Sequence, residues 1–120
     1  MKTILIVDDE RDVTDVVAAT LEDEGYRVLT AHNGLDGLKC LSNAQPDMVI
    51  CDFMMPLMTG LELAEAIRAD GALRHTPILL VSGAQGAIAR ERADLFDLVL
   101  DKPYDIDRIL EAVAQLEQRP

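Results

Sequence analysis

Basic and aromatic side chains are both scarce in this chain, and each scarcity narrows what the protein can do. Lys and Arg number 11 against 22 Asp and Glu, a formal charge of −11 over 120 residues. A duplex phosphate backbone repels such a surface, so direct contact with nucleic acid is not expected. An anionic bilayer is disfavoured for the same reason. The acidic excess suits solubility, a cation, or a partner carrying a basic patch. Aromatics are 3% of the residues and Trp is absent, so the core must be aliphatic, and a hydrophobic fraction of 49% supplies it amply. Cys40 and Cys51 show no metal-ligand spacing and fall in segments that read as buried, which points to reduced thiols in a cytoplasmic protein. The opening segment has only Ile4-Leu5-Ile6-Val7 as its apolar run, too short for a signal peptide or a membrane span. Repeats, low-complexity tracts and linkers are absent, so residues 1–120 are expected to form one domain.

Short apolar runs alternate with segments of helical periodicity. Ile4 to Val7 reads as a strand buried on both faces. Val13, Val16, Val17, Thr20 and Leu21 follow at helix spacing and stop near Gly25. A second strand is expected over Arg27–Ala31, then a turn at His32-Asn33-Gly34 and a helix marked by Leu35, Leu38 and Leu41. Met48 to Cys51 is the third strand, and Leu61, Ala64 and Ile67 mark a third helix ending near Gly71. Ile78 to Val81 is the fourth strand, a weaker helix spans Gln85 to Ala93, and Leu98 to Leu100 is the fifth strand. Ile106, Ile109, Leu110, Val113 and Leu116 give the clearest amphipathic helix. Five β–α pairs imply an α/β fold with a five-stranded parallel sheet, doubly wound; the flavodoxin-like strand order 2-1-3-4-5 is expected by fold analogy. In such sheets function gathers at the carboxyl ends of the strands.

Those ends carry the chemistry. The first strand runs into Asp8-Asp9, the third into Asp52, the fourth into Ser82, and the fifth into Asp101-Lys102-Pro103. Clustered carboxylates repel, and one takes up a proton unless a hard cation resolves the conflict; Mg²⁺ suits oxygen ligands. An ammonium and a hydroxyl nearby complete the parts that phosphoryl transfer requires. Taken singly, each has a plainer reading. Asp8 and Asp9 could cap the first helix, Asp52 could sit in an ordinary turn, Ser82 says little, and a lone Lys102 is usually solvated. The plain readings do not account for all of them converging on one edge.

Asp8-Asp9 after an apolar strand, the stretch Asp52-Phe53-Met54-Met55-Pro56-Leu57-Met58-Thr59-Gly60, Ser82, and Lys102-Pro103 together resemble the signature of receiver domains from two-component response regulators. The resemblance covers essentially the whole chain. It implies that Asp52 is the phosphoacceptor, that Ser82 bonds the phosphoryl group, and that Lys102 pairs with it. It implies Mg²⁺ held directly by Asp9, Asp52 and the Met54 backbone carbonyl, with Asp8 reaching the metal through water. It implies a histidine kinase or histidine phosphotransfer protein as donor, a partner protein as output, and a cis Lys102–Pro103 bond. Met54 and Ala84 would flank the path of the hydrolytic water without orienting it, which favours a long-lived phosphoryl group, while Gly83 would leave the pocket open to small donors.

The sequence departs from the family's pattern in its last third. Val99 stands where an aromatic switch residue is usual, the Gly-Ala pair before the fifth strand is missing, and the interval from Ser82 to Lys102 is about two residues short. A rigid Val99 cannot swing into a vacated space. The Ser82–Gly86 loop is therefore expected to relay phosphorylation, with Phe96 or Tyr104 as the nearest aromatic bulk. Three other classes were weighed. A haloacid-dehalogenase-type aspartyl phosphatase needs a second aspartate where Met54 stands. A flavin module needs a Gly- and Ser/Thr-rich phosphate loop where Asp8-Asp9 would repel the flavin phosphate. A degenerate receiver acting only as a docking module is at odds with a complete acidic set.

Overall fold

A computed structural model describes residues 2–83, 85–103 and 105–118. The elements in chain order are β1 (Thr3–Val7), α1 (Arg11–Asp23), β2 (Arg27–Ala31), α2 (Gly34–Ala44), β3 (Met48–Asp52), α3 (Gly60–Ala69), β4 (Ile78–Ser82), α4 (Gly86–Arg90), β5 (Leu98–Asp101) and α5 (Ile106–Glu117). All strand pairings are parallel, in the order β2-β1-β3-β4-β5. The expected topology is therefore the observed one.

Strand alternation divides the core in two. Successive side chains on a strand point to opposite faces. Leu5, Val7, Val49, Cys51, Ile78 and Leu80 join one cluster with Leu41 of α2, Leu63 and Ile67 of α3, and Ala89 of α4. Ile4, Ile6, Met48, Ile50, Leu79 and Val81 join the other with Val17 and Leu21 of α1 and Ile109, Val113 and Leu116 of α5. Every residue of β3 and β4 is buried, whereas β5 is only half-buried at Leu98, Val99 and Leu100. β5 lies at one edge of the sheet, and β4 lies inside it.

Helix starts follow from side-chain caps. Asn33 accepts the Asp36 amide at 2.8 Å for α2, Thr59 and Glu62 form a reciprocal capping box for α3, and Asp105 accepts the Arg108 amide at 3.0 Å for α5. The N-cap of α1, Glu10, makes no such bond with its side chain. α4 departs from the expected length: it covers only Gly86–Arg90 rather than extending from residue 85 to 93. The chain leaves the helix to deliver Leu95 and Phe96 into the core, where each is 4% exposed. Burying two large side chains outweighs a few more helical hydrogen bonds. Phe96 thereby joins the cluster against which Val99 packs.

Candidate functional site

The carboxyl ends of β1, β3, β4 and β5 bring the expected residues to one edge. By alternation, Asp8 continues the Ile4–Ile6 face and Asp52 the Met48–Ile50 face, so both carboxylates lie on the α1/α5 side of the sheet. Ser82 continues the Ile78–Leu80 face toward α3 and α4. Asp52 and Ser82 are themselves the last residues of their strands, one residue beyond the expected ends, and Asp52 pairs in register with Val81.

Asp52 is buried, at 6% exposed, and its Oδ2 accepts a hydrogen bond from Lys102 Nζ at 3.0 Å. The Lys102–Pro103 bond is cis. Burial alone would lower the pKa of the Lys102 ammonium, but the bond to Asp52 and the charges of Asp52, Asp8 and Glu10 outweigh it and raise it. Asp8 is equally buried, and burial lifts its carboxyl to about 6; the Glu10 amide, which Asp8 accepts at 2.9 Å, opposes the shift, and the Asp52 charge adds to it. Ser82 is fully buried, and its Oγ has no hydrogen-bond partner among the described residues. Such a hydroxyl is rare and calls for an explanation, of which an arriving ligand oxygen is one. Cys51 lies beside these acids, but full burial, with the Asp52 and Asp8 charges, pushes its thiol up to about 12, so it is packing rather than chemistry.

Asp8, Glu10 and Asp52 bring carboxylate oxygens within 4.8 Å of one another. These are hard oxygen donors of the kind Mg²⁺ takes, and the raised Asp8 carboxyl marks a surplus of negative charge that a cation would relieve. The membership differs from expectation. Glu10 stands in the cluster, while Asp9 is exposed and is not part of it. The reason is local: the Asp8 carboxylate folds back onto the Glu10 amide, and that turn brings Glu10 over the strand end. Sequence reasoning passed over Glu10 because it follows an Asp pair that already satisfied the pattern. The signal was there, as a third consecutive acid at a strand end.

The remaining expected residues are placed as follows. Met54 is exposed on the loop after β3. Gly83 is exposed. Ala84 and Tyr104 lie outside the described residues. On the same loop as Met54, Leu57 holds a left-handed φ of 71° while 74% exposed. Gly60, the first residue of α3, is pressed against the end of β3: a Cβ there would meet the Asp52 carbonyl oxygen at 2.3 Å. Its amide donates to the Phe53 carbonyl at 2.7 Å. Alongside the site, Val13, Val16 and Val17 of α1 face Pro103 and Ile106 across a groove of about 760 Å³ that Glu10 and Lys102 also line.

Comparison with known proteins agrees with this architecture. The family model described as the response regulator receiver domain matches residues 4–114. The chain is 32% identical over 123 residues to the "DNA-binding dual master transcriptional regulator RpaA" of Synechocystis, covering 99% of this chain and 50% of that protein. It is 33% identical over 119 residues to response regulator MprA of Mycobacterium ulcerans, covering 97% and 50% respectively. The chain thus spans about half the length of these curated relatives. Among solved structures, chemotaxis response regulator CheY4 of Vibrio cholerae superposes with a TM-score of 0.88 at 31% identity, covering 97% of this chain and 98% of that one. Response regulator TrrA of Thermotoga maritima, solved in complex with Mg²⁺ and BeF, superposes with a TM-score of 0.84 at 33% identity, covering 97% and 99%. With the fold, the strand-end acids and the family match all in agreement, this chain belongs to the response regulator receiver domains of two-component signalling.

Proposed function

We propose that the chain accepts a phosphoryl group on Asp52 in a Mg²⁺-dependent reaction, taking it from a histidine kinase or histidine phosphotransfer protein. The observation that carries this reading is the buried Asp52 carboxylate with the Lys102 ammonium 3.0 Å away. An Asp52 oxygen forms the new bond to phosphorus as the bond to the donor's histidine nitrogen breaks and the imidazole leaves with the bonding pair. Lys102 is free to turn from Asp52 to an oxygen of the incoming group, and the Ser82 Oγ, without a partner among the described residues, can donate to another. Asp9, Asp52 and the Met54 carbonyl would hold the Mg²⁺, with Asp8 reaching it through water and Glu10 as an adjacent acid. The metal would supply charge neutralisation between carboxylates and phosphoryl oxygens.

The groove between α1 and α5 supports a protein donor. It is apolar along Val13, Val16, Pro103 and Ile106 and ends at Lys102, so a helix presenting a histidine could seat there and reach Asp52. Catalysis is limited to the chain's own phosphorylation and dephosphorylation, and the signal leaves by an altered protein-binding surface. No helix among the described residues is long and apolar enough to cross a membrane. We place the domain in the cytoplasm, where such kinases deliver phosphate. The Synechocystis relative is named as DNA-binding; these 120 residues, with their charge of −11, are proposed not to touch nucleic acid themselves.

The test is incorporation of phosphate from acetyl phosphate. Labelling should require Mg²⁺, fall to background with chelator, and vanish in Asp52→Ala while the variant still melts cooperatively. Undiminished labelling of that variant, or none in the parent protein, would overturn the assignment.

A further inference from the structure

Glu10 is absorbed by neither the cap of α1 nor the expected receiver signature. Its side chain is 60% exposed and makes no capping bond, yet its Oε1 lies 3.8 Å from Lys102 Nζ. It also lines the groove that ends at Lys102, the side chain bonded to Asp52. We infer that Glu10 is a specificity-determining residue, an anionic gate that disfavours small, highly charged phosphodonors. This inference rests on the function proposed above.

The argument is electrostatic. A donor entering from the groove brings its own negative charge past Glu10 before it reaches Lys102 and Asp52. A carboxylate within 4.8 Å of the acceptor acid acts on the donor at the distance where the new bond forms. The Lys102 ammonium, attracted to Asp52 at 3.0 Å and to Glu10 at 3.8 Å, is also less available to a small anion arriving alone. A phosphohistidine carried by a protein meets the same charge, but the groove's apolar wall and a basic flank on the donor can offset it. A free dianion has neither. In water-like surroundings, Coulomb's law at about 6 Å gives roughly a threefold rate penalty for each unit of donor charge. The penalty for a dianion is then about the square of that for a monoanion.

The experiment compares Glu10→Gln with the parent protein, using acetyl phosphate as dianionic donor and phosphoramidate as monoanionic donor, both with saturating Mg²⁺ at low salt. The expected result is acceleration by roughly tenfold with acetyl phosphate and threefold with phosphoramidate. Both gains should disappear near 1 M salt, where screening acts within about 3 Å. Asp12→Asn, which removes another acid from the same groove, should change either rate by less. Mg²⁺ bound to the folded chain should raise the melting temperature of the parent protein, and the rise should persist in Glu10→Gln. Equal effects on both donors, a gain that survives high salt, an unchanged or slower rate, or an Asp12→Asn effect as large would each overturn the gate. Loss of the Mg²⁺-induced melting shift would do so too, by making Glu10 a metal ligand. A parent protein that neither donor labels on Asp52 sinks the proposed function as well, whereas labelling that ignores Glu10 sinks only the gate.

Discussion

At the start of β5 the Asp97 carboxylate accepts from Arg68 at 2.9 Å and from the Ile78 amide at 2.7 Å, and at the end of β5 the Asp101 carboxylate is forked by Arg90 at 3.0 and 2.8 Å. Both are arginine–aspartate pairs, one just before β5 and one at its last residue, and they do opposite things. Arg68 is mostly buried and spends its remaining donors on the carbonyls of Leu95, Arg74 and Thr76. It locks the α3–β4 connection to the approach of β5. The Arg90–Asp101 pair is half exposed, adds one long bond to the Val99 carbonyl, and tethers a five-residue helix next to Lys102. Gly86 makes room for it, since a Cβ there would meet Asp101 Oδ1 at 2.2 Å. Water competes more for an exposed pair than for a mostly buried guanidinium whose donors are all engaged, so the start of the strand is fixed while its end can yield.

Breaking the fixed end should give the larger effect. Arg68→Ala takes one donor from Asp97, which keeps the Ile78 amide, and removes the guanidinium from three backbone carbonyls, and a loss of about 2–4 kcal/mol is expected in denaturant unfolding. A loss under about 1 kcal/mol would mean that the two ends do not differ as described.

Next to Lys102, just past the end of β1, Asp8 carries a burden of its own. Its carboxyl, raised to about 6, binds a proton more tightly in the folded chain than in the unfolded one. Metal-free stability should therefore fall as pH rises from about 4 to about 6 and stay low above that. Asp8→Asn should remove that slope and stabilise the chelated protein at neutral pH by on the order of 1 kcal/mol once solvent screening is allowed for. A metal-free stability profile that is flat in this window, or that rises through it, would contradict the assignment.

The smallest effect belongs to the exposed pair. Arg90→Gln should barely move the melting temperature but should speed amide exchange over residues 86–92. Beryllofluoride bound at Asp52 should produce part of the same change in the parent protein, with less left to produce in the variant. Unchanged exchange from Gly83 to Arg92 in both cases would exclude the loop as relay and leave Val99 as plain core.

How far the sequence could be read follows the same division. Strands buried on both faces announce themselves as unbroken apolar runs, and Pro and Gly mark the turns between them, so β1, β3 and β4 were legible, while the strand order came by fold analogy. Asp52, Lys102 and the cis bond before Pro103 were legible because they recur in a known pattern. α4 was not, because its length is set by where Leu95 and Phe96 must go, a tertiary demand that periodicity does not carry. Arg68 was missed because one arginine on a helix looks like any solvated arginine until the carbonyls around it are in place. Glu10 was missed because a turn two residues long, not a spacing rule, brings it over the acids.

Gly60 has no chemistry of its own, yet the direction in which Asp52 points depends on it. Because α3 begins in direct backbone contact with Asp52, any side chain at position 60 must push apart the two elements that fix where its carboxylate points. A chain could keep both aspartates, the serine and the lysine, and still lose its alignment through a single added methyl group. Competence in such a domain is therefore misjudged when it is read only from the residues that touch phosphate. The blank position behind the aspartate belongs in the criterion, and a larger residue there marks a reader of signals that has lost its pen.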